Sequence, residues 1–215
     1  MVMRKILFAF VLGIASLQVV SGHAAKAEAS PASVASVTVD EYLRAQIETV
    51  FEKLGDEQIS EGERTERFRV LITEIFDVKF ISRFVLGPYW QETSEAERDR
   101  FSDLLIELQV TRWSQRFKPR KGEGTMDIGQ PRTDESGHYL VPMTLKRLGA
   151  EGAGVNLLWR LRETTDSFKV FDIMIEGTSM LIAHKSEYQS FIRRNGGVSS
   201  LINELETQAQ KLKIR

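Results

Sequence analysis

The apolar period of this chain changes twice. From Thr38 to about Phe117 apolar residues recur at helical spacing, from Gly124 to Glu176 they alternate, and from Ser179 onward the helical spacing returns. A helix buries a stripe and a strand buries a face, so the two patterns cannot exchange roles. Helices, then strands, then helices is an α+β order. It predicts one curved antiparallel sheet of about four strands with helices over its concave face.

Local signals place the breaks. "TVDE" is a capping box, Thr38 with Glu41, ahead of Leu43, Ile47, Val50, Phe51 and Leu54, and Gly55 ends that helix. "SEGE" repeats the device with Ser60 and Glu63 before Phe68, Leu71, Ile72 and Ile75. A turn near Asp77 leads to Phe80, Ile81, Phe84 and Val85, and Gly87-Pro88 stops the segment. "SEAE", Ser94 with Glu97, opens a long helix through Phe101, Leu104, Leu105, Leu108 and Trp113. After the strands, two helices run from Ser179 to Arg194 and from Val198 to about Lys211, with "NGG" between them.

The alternating region reads as strands joined by "TDESG", "LGAEG" and "TTDS" turns, following a first strand at "TMDIGQ". If the central hairpin turns about Ala150, Val141 faces Trp159 and Met143 faces Leu157. A hairpin turning about Thr165 sets Leu157 against Ile173. Odd-numbered residues, Phe171, Ile173 and Ile175 included, then form one apolar face, with Phe168, Val170 and Met174 on the other. Asp172 falls on the even-numbered face, diagonal to Arg160, where an ion pair explains it.

The N-terminus carries Arg4 and Lys5, an apolar run from Ile6 to Val20, and small residues in "SGHAAKAEAS". That order is a secretory signal peptide over residues 1–27, cut after "AKA", with "GHA" and "AEA" as further sites that fit. A flexible lead at 28–37 and one domain at 38–213 follow, with helices at 38–118, a sheet at 124–176 and helices at 179–213. The chain has no cysteine. An exported domain without disulfides must hold together by its core, and no cysteine is present to carry a lipid anchor. Removing residues 1–27 takes away Arg4, Lys5 and Lys26 and no acid, so the formal charge of −1 becomes −4. Mild, interspersed acidity excludes a nucleic-acid footprint.

Catalytic signatures are missing. His138 and His184 stand apart with no cysteine to join them, and there is no nucleophile elbow, phosphate-binding loop, metal-ligand cluster or cofactor signature. The aromatic string "FDVKFISRFVLGPYW" stands out instead. Together with "WRLRETTDSFKVFDIMIEGTSMLIAHKSEYQSFIRRNGG" it resembles the MlaC (toluene-tolerance) family, over about residues 40 to 205. "RFKPRKGEG" and Pro88 depart from the family's usual tyrosine-rich segment and basic residue.

The resemblance implies an NTF2-like fold whose helices and sheet enclose an apolar cavity. It also implies a non-enzymatic periplasmic carrier of glycerophospholipid that maintains outer-membrane lipid asymmetry. The implied partners are an outer-membrane lipoprotein complex and an inner-membrane ABC transporter complex with an MCE subunit. A related class carries hopanoids, so a polycyclic lipid is the alternative cargo. Two other readings compete: an enzyme on the same fold with Asp172 or His138 as base, and an adaptor whose aromatic stretch docks a partner helix.

The expected lining lies where the "FISRFVL" helix, the long helix and the odd sheet face meet. It comprises Phe80, Phe84, Leu86, Tyr89, Trp90, Leu108, Trp113, Val141, Met143, Leu157, Trp159, Ile173, Ile175 and Met180. Tyr89 and Trp90 suit the mouth, and Arg83 and Arg116 suit a phosphate at the rim.

Overall fold

The structure is a computed structural model that describes residues 37–56, 58–116, 124–147 and 154–213. The leader at 1–27, most of the lead, the "LGAEG" turn and the "KPRKG" break lie outside the described residues. Five helices come first: α1 (Val39–Leu54), α2 (Glu61–Ile75), α3 (Val78–Leu86), α4 (Tyr89–Glu92) and α5 (Glu95–Arg116). The strands are β1 (Gly124–Ile128), β2 (Arg132–Thr133), β3 (Tyr139–Arg147), β4 (Val155–Glu163), β5 (Phe168–Ile175) and β6 (Thr178–Ser179). Two helices follow, α6 (Met180–Asn195) and α7 (Val198–Lys213). Among the described residues, no helix is long and apolar enough to cross a membrane.

The helix ends follow their capping chemistry. Glu41 Oε2 accepts the Thr38 N–H at 2.9 Å, and Ser94 and Glu97 complete a reciprocal box. The box expected at Ser60 is half formed. Ser60 Oγ accepts the Glu63 N–H, while the Glu63 carboxylate turns instead to Arg67 at 2.6 Å. Gly87 takes φ +57 to end α3, and Pro88 opens the short α4 at once, so the expected stop is a corner between two helices. Gly196 closes α6 in the left-handed conformation.

The sheet runs β1-β3-β4-β5-β6, with β2 also on β3, all antiparallel. Four long strands match the expectation, and the two-residue β2 and β6 add to it. The central hairpin has the expected register, Val141 on Trp159 and Met143 on Leu157. The next hairpin differs. Leu157 pairs with Ile175 and Trp159 with Ile173, and the register shifts between Arg160 and Leu161.

The shift is a bulge. Arg160 pairs with Asp172 and Leu161 with Val170, which leaves Phe171 as the extra residue. Phe171 is thereby turned off the odd-numbered face, whereas Phe168 and Val170 join it. Both reverse the strict alternation expected for β5. Asp172 and Arg160 are direct cross-strand partners and not diagonal neighbours.

Two apolar cores result. In the first, α3, α5, α6 and α7 pack with Leu86, Phe101, Leu104, Leu108, Leu201 and Leu205 sealed from solvent, and Phe171 joins them from the sheet. Each such side chain contributes about 1.5–3 kcal/mol by its burial. In the second, α1, α2 and part of α5 lie on the odd-numbered sheet face. The two meet at the α2–α3 corner. There Asp77 N–H donates to Val170 O at 2.8 Å, and the Asp77 carboxylate caps α3 and pairs with Arg162.

Candidate functional site

The odd-numbered sheet face is the larger candidate. Val141 and Met143 are buried there, while Leu157, Trp159 and Ile173 keep part of their surface. Leu43 and Ile47 of α1, Leu71 and Ile75 of α2, and Ile106 and Val110 of α5 belong to the same cluster. The Phe76 ring lies 6.5 Å from Trp159. Phe168 is 5.5 Å from Tyr42 and 5.3 Å from Tyr139, closing one end with aromatic contacts. Burial pushes the Tyr42 phenol above its ordinary value, so that ring stays uncharged.

A separate open cleft of about 330 Å³ lies between α3, α4 and α6. Phe80, Arg83, Phe84, Gly87, Trp90, Gln91 and Lys185 line it. Lys185 Nζ stands 4.4 Å over the Phe84 ring, and Arg98 stands 4.9 Å over Trp90. Gln189 Nε2 donates to Val85 O at 3.0 Å and occupies the space a Gly87 Cβ would need. A Cβ there would displace the end of that flexible side chain, and the positive φ is what favours glycine at the corner. A further open cleft, also about 330 Å³, includes Tyr89, Glu97, Ile192 and Arg193. Tyr89 and Trp90 therefore line different clefts.

The expected lining is thus divided. Val141, Met143, Leu157, Trp159 and Ile173 meet on the sheet face, while Phe80, Phe84, Trp90 and Arg83 meet in the α3–α6 cleft. The "FISRFVL" helix does not converge with the odd face, because Phe80 packs on Phe171, which the bulge points the other way. Leu86 and Leu108 are sealed inside the helix bundle. Trp113 is 47% exposed. Ile175 and Met180 are half-buried and join neither core. The Arg116 side chain lies outside the described residues.

Sequence reasoning missed Phe76, Ile106, Val110 and Phe168 on the sheet side, and Lys185 and Gln91 in the cleft. Ile106 and Val110 share helical spacing on a second face of α5, a signal that was readable. Lys185 carried no signal, since only folding brings α6 beside α3.

Asp172 is only 3% exposed and fully engaged. It accepts from Ser179 Oγ at 2.7 Å, from the Leu181 N–H at 2.9 Å and from Arg160 at 3.3 Å. Arg160 also covers the Phe171 ring at 4.9 Å, whose centroid is 4.8 Å from that of His138. The Asp134 carboxylate is held below its usual range, first by the His138 backbone N–H. This network ties β5 to the start of α6, and a carboxylate so occupied offers no free base on the apolar face.

Comparison with known proteins agrees with this layout. The family model described as MlaC protein matches residues 44–207. A solved structure of a phospholipid-binding protein from Ralstonia solanacearum, in complex with a phospholipid, superposes with a TM-score of 0.69 at 19% identity. The match covers 81% of this chain and 98% of that one, and at such identity it shows a shared fold.

Proposed function

This chain belongs to the MlaC family, and from that premise we propose that it is a periplasmic carrier holding the acyl chains of a glycerophospholipid against the odd-numbered sheet face. The observation that carries the reading is the unfinished state of the sheet-side core. Leu157, Trp159 and Ile173 remain partly exposed at the centre of the sheet, where a purely structural face would be sealed.

The physical need is plain. Two acyl chains hold about thirty methylenes, each costing about 0.8 kcal/mol in water, so unassisted escape from a bilayer faces about 24 kcal/mol. A carrier offsets that cost with apolar surface and needs no catalytic group. The α3–α6 cleft, at about 330 Å³, is at the small end of ligand pockets and does not take two acyl chains. Its Arg83 and Lys185 suit an anionic group the size of a headgroup. We assign the exchange partners by family: an outer-membrane lipoprotein complex and an inner-membrane ABC transporter complex with an MCE subunit.

Native mass spectrometry of protein purified without detergent tests the proposal. We expect the mass of a bound phospholipid, with mixed headgroups in an organic extract. A bare protein mass after gentle handling favours the adaptor reading, and a polycyclic lipid alone moves the cargo to hopanoids.

A further inference from the structure

The indole N–H of Trp159 is sealed from solvent and has no hydrogen-bond acceptor among the described residues. Trp159 sits in β4 between Val141 of β3 and Ile173 of β5. The backbone carbonyls of both neighbouring strands point along the sheet toward one another, while the ring stands off its face. The surrounding cluster supplies aliphatic and aromatic carbon, with Phe76 the nearest ring. Protein interiors pair their buried donors, and a phenylalanine would give an apolar ring here without the unpaired group.

We infer that Trp159 Nε1 donates to an uncharged oxygen acceptor brought by the cargo, the ester carbonyl of an acylated glycerol. The inference rests on the carrier reading above and narrows it. A phosphate oxygen is the wrong acceptor at this point, because a charge among these apolar side chains loses its hydration. The nearby cations of β4 face the other way: Arg160 is held by Asp172 and Arg162 by Asp77. An ester carbonyl carries no net charge and enters on the same molecule as its own acyl chain. Trp159 would thus distinguish ester-linked lipids from ether-linked lipids and from polycyclic hydrocarbons that lack a carbonyl.

The test loads the protein from vesicles holding equal amounts of diacyl- and dialkyl-phosphatidylglycerol with matched chains, and quantifies bound lipid by mass spectrometry. We expect the ester lipid to be enriched about tenfold, the ordinary worth of one hydrogen bond. Replacing Trp159 by 3-benzothienylalanine keeps the ring shape and puts sulfur in place of N–H, so the enrichment should fall to near unity. Equal loading of both lipids by the unmodified protein, or enrichment that survives the replacement, overturns the inference and leaves the carrier reading standing. Recovery of neither lipid overturns both. In unmodified protein the chain's tryptophans are Trp90, Trp113 and Trp159. The nitrogen-labelled indole signal of Trp159 should move downfield on loading with ester lipid, and a signal that stays in place counts against the hydrogen bond.

Discussion

The two cores use the same residue types and finish them differently. Among the described residues, the helix-bundle core has fourteen buried apolar residues and eight partly buried ones packed around them. The sheet-side core, counted over the same described residues, has twelve buried and thirteen partly buried, so a larger share of it keeps some exposed surface. The bundle behaves as a core should, with Phe101 and Tyr188 edge to face at 6.0 Å and leucines sealed on every side. On the sheet side Val141, Met143, Leu161 and Val170 are deep, while their neighbours Leu157, Trp159 and Ile173 on β4 and β5 are half-open. One region is sealed, and the other keeps the surface that the proposed carrier function assigns to a guest.

The widest separation between them should come from introducing charge. Leu108→Asp in the bundle is expected to unfold the protein, costing upwards of about 4 kcal/mol, because the carboxylate has no water and no partner. Leu157→Asp or Ile173→Asp should instead leave the circular dichroism spectrum folded and remove bound lipid. Unfolding of the sheet-side variants to the same extent would erase the distinction.

Next in size is the polar tie between the halves. Asp172→Asn is expected to cost about 3 kcal/mol, since the buried carboxylate that accepts from Arg160, Ser179 and the Leu181 N–H is lost, although Arg160 keeps Asp134 at 3.8 Å. Lipid content of the surviving folded protein should stay near normal. Thermal melts of Asp172→Asn, Arg160→Gln and the double variant measure their coupling, and strictly additive shifts would show that the pair does not interact.

Truncation gives a smaller contrast. Leu104→Ala should cost about 3 kcal/mol by leaving a cavity, and Leu157→Ala under about 1.5 kcal/mol, because a half-exposed site collapses or hydrates. Denaturant midpoints at constant slope decide this. Similar losses at both would mean that the sheet face is ordinary core.

The smallest effect lies at the start of the bundle. Hydrogen bonds from Ser199 and then Ser94 hold the Glu97 carboxyl below its ordinary value. A carboxyl lowered in the folded state stabilises it above the unfolded pKa, and that contribution fades as pH falls through the folded pKa. Ser199→Ala should raise the Glu97 titration midpoint toward the ordinary value in an NMR titration and slightly reduce the acid sensitivity of stability.

Much of this was readable from the chain. Capping residues are local chemistry, so α1, α2, α5 and α6 began within a residue or so of where Thr38, Ser60, Ser94 and Ser179 placed them. The central hairpin register followed from matching Val141 and Met143 to Trp159 and Leu157. The division of the site was not readable, for one physical reason. Alternation specifies faces only while the ladder is regular, and the extra residue at Phe171 has no local signature in "FKVFDIMI". Missing it merged two faces, and with them two groups of side chains. Trp113 shows the other limit: an apolar residue at helical spacing near a helix end need not have anything above it.

The bulge also bears on how the molecule comes apart. Phe171 is the sheet's contribution to the bundle, clasped between Arg160 and His138 and packed on Phe80 at 5.3 Å. Deleting Phe171 would make the β4–β5 ladder continuous, because Arg160–Asp172 and Leu161–Val170 would become successive rungs. The sheet would therefore survive a change that withdraws it from the neighbouring core. What should be lost is the coincidence of their melting: spectroscopic probes placed at Trp159 and at Tyr188, which move together in a two-state transition, would separate. A single supernumerary residue would then be one of the links, beside α5 and the Asp77 and Asp172 contacts, through which two interiors unfold together.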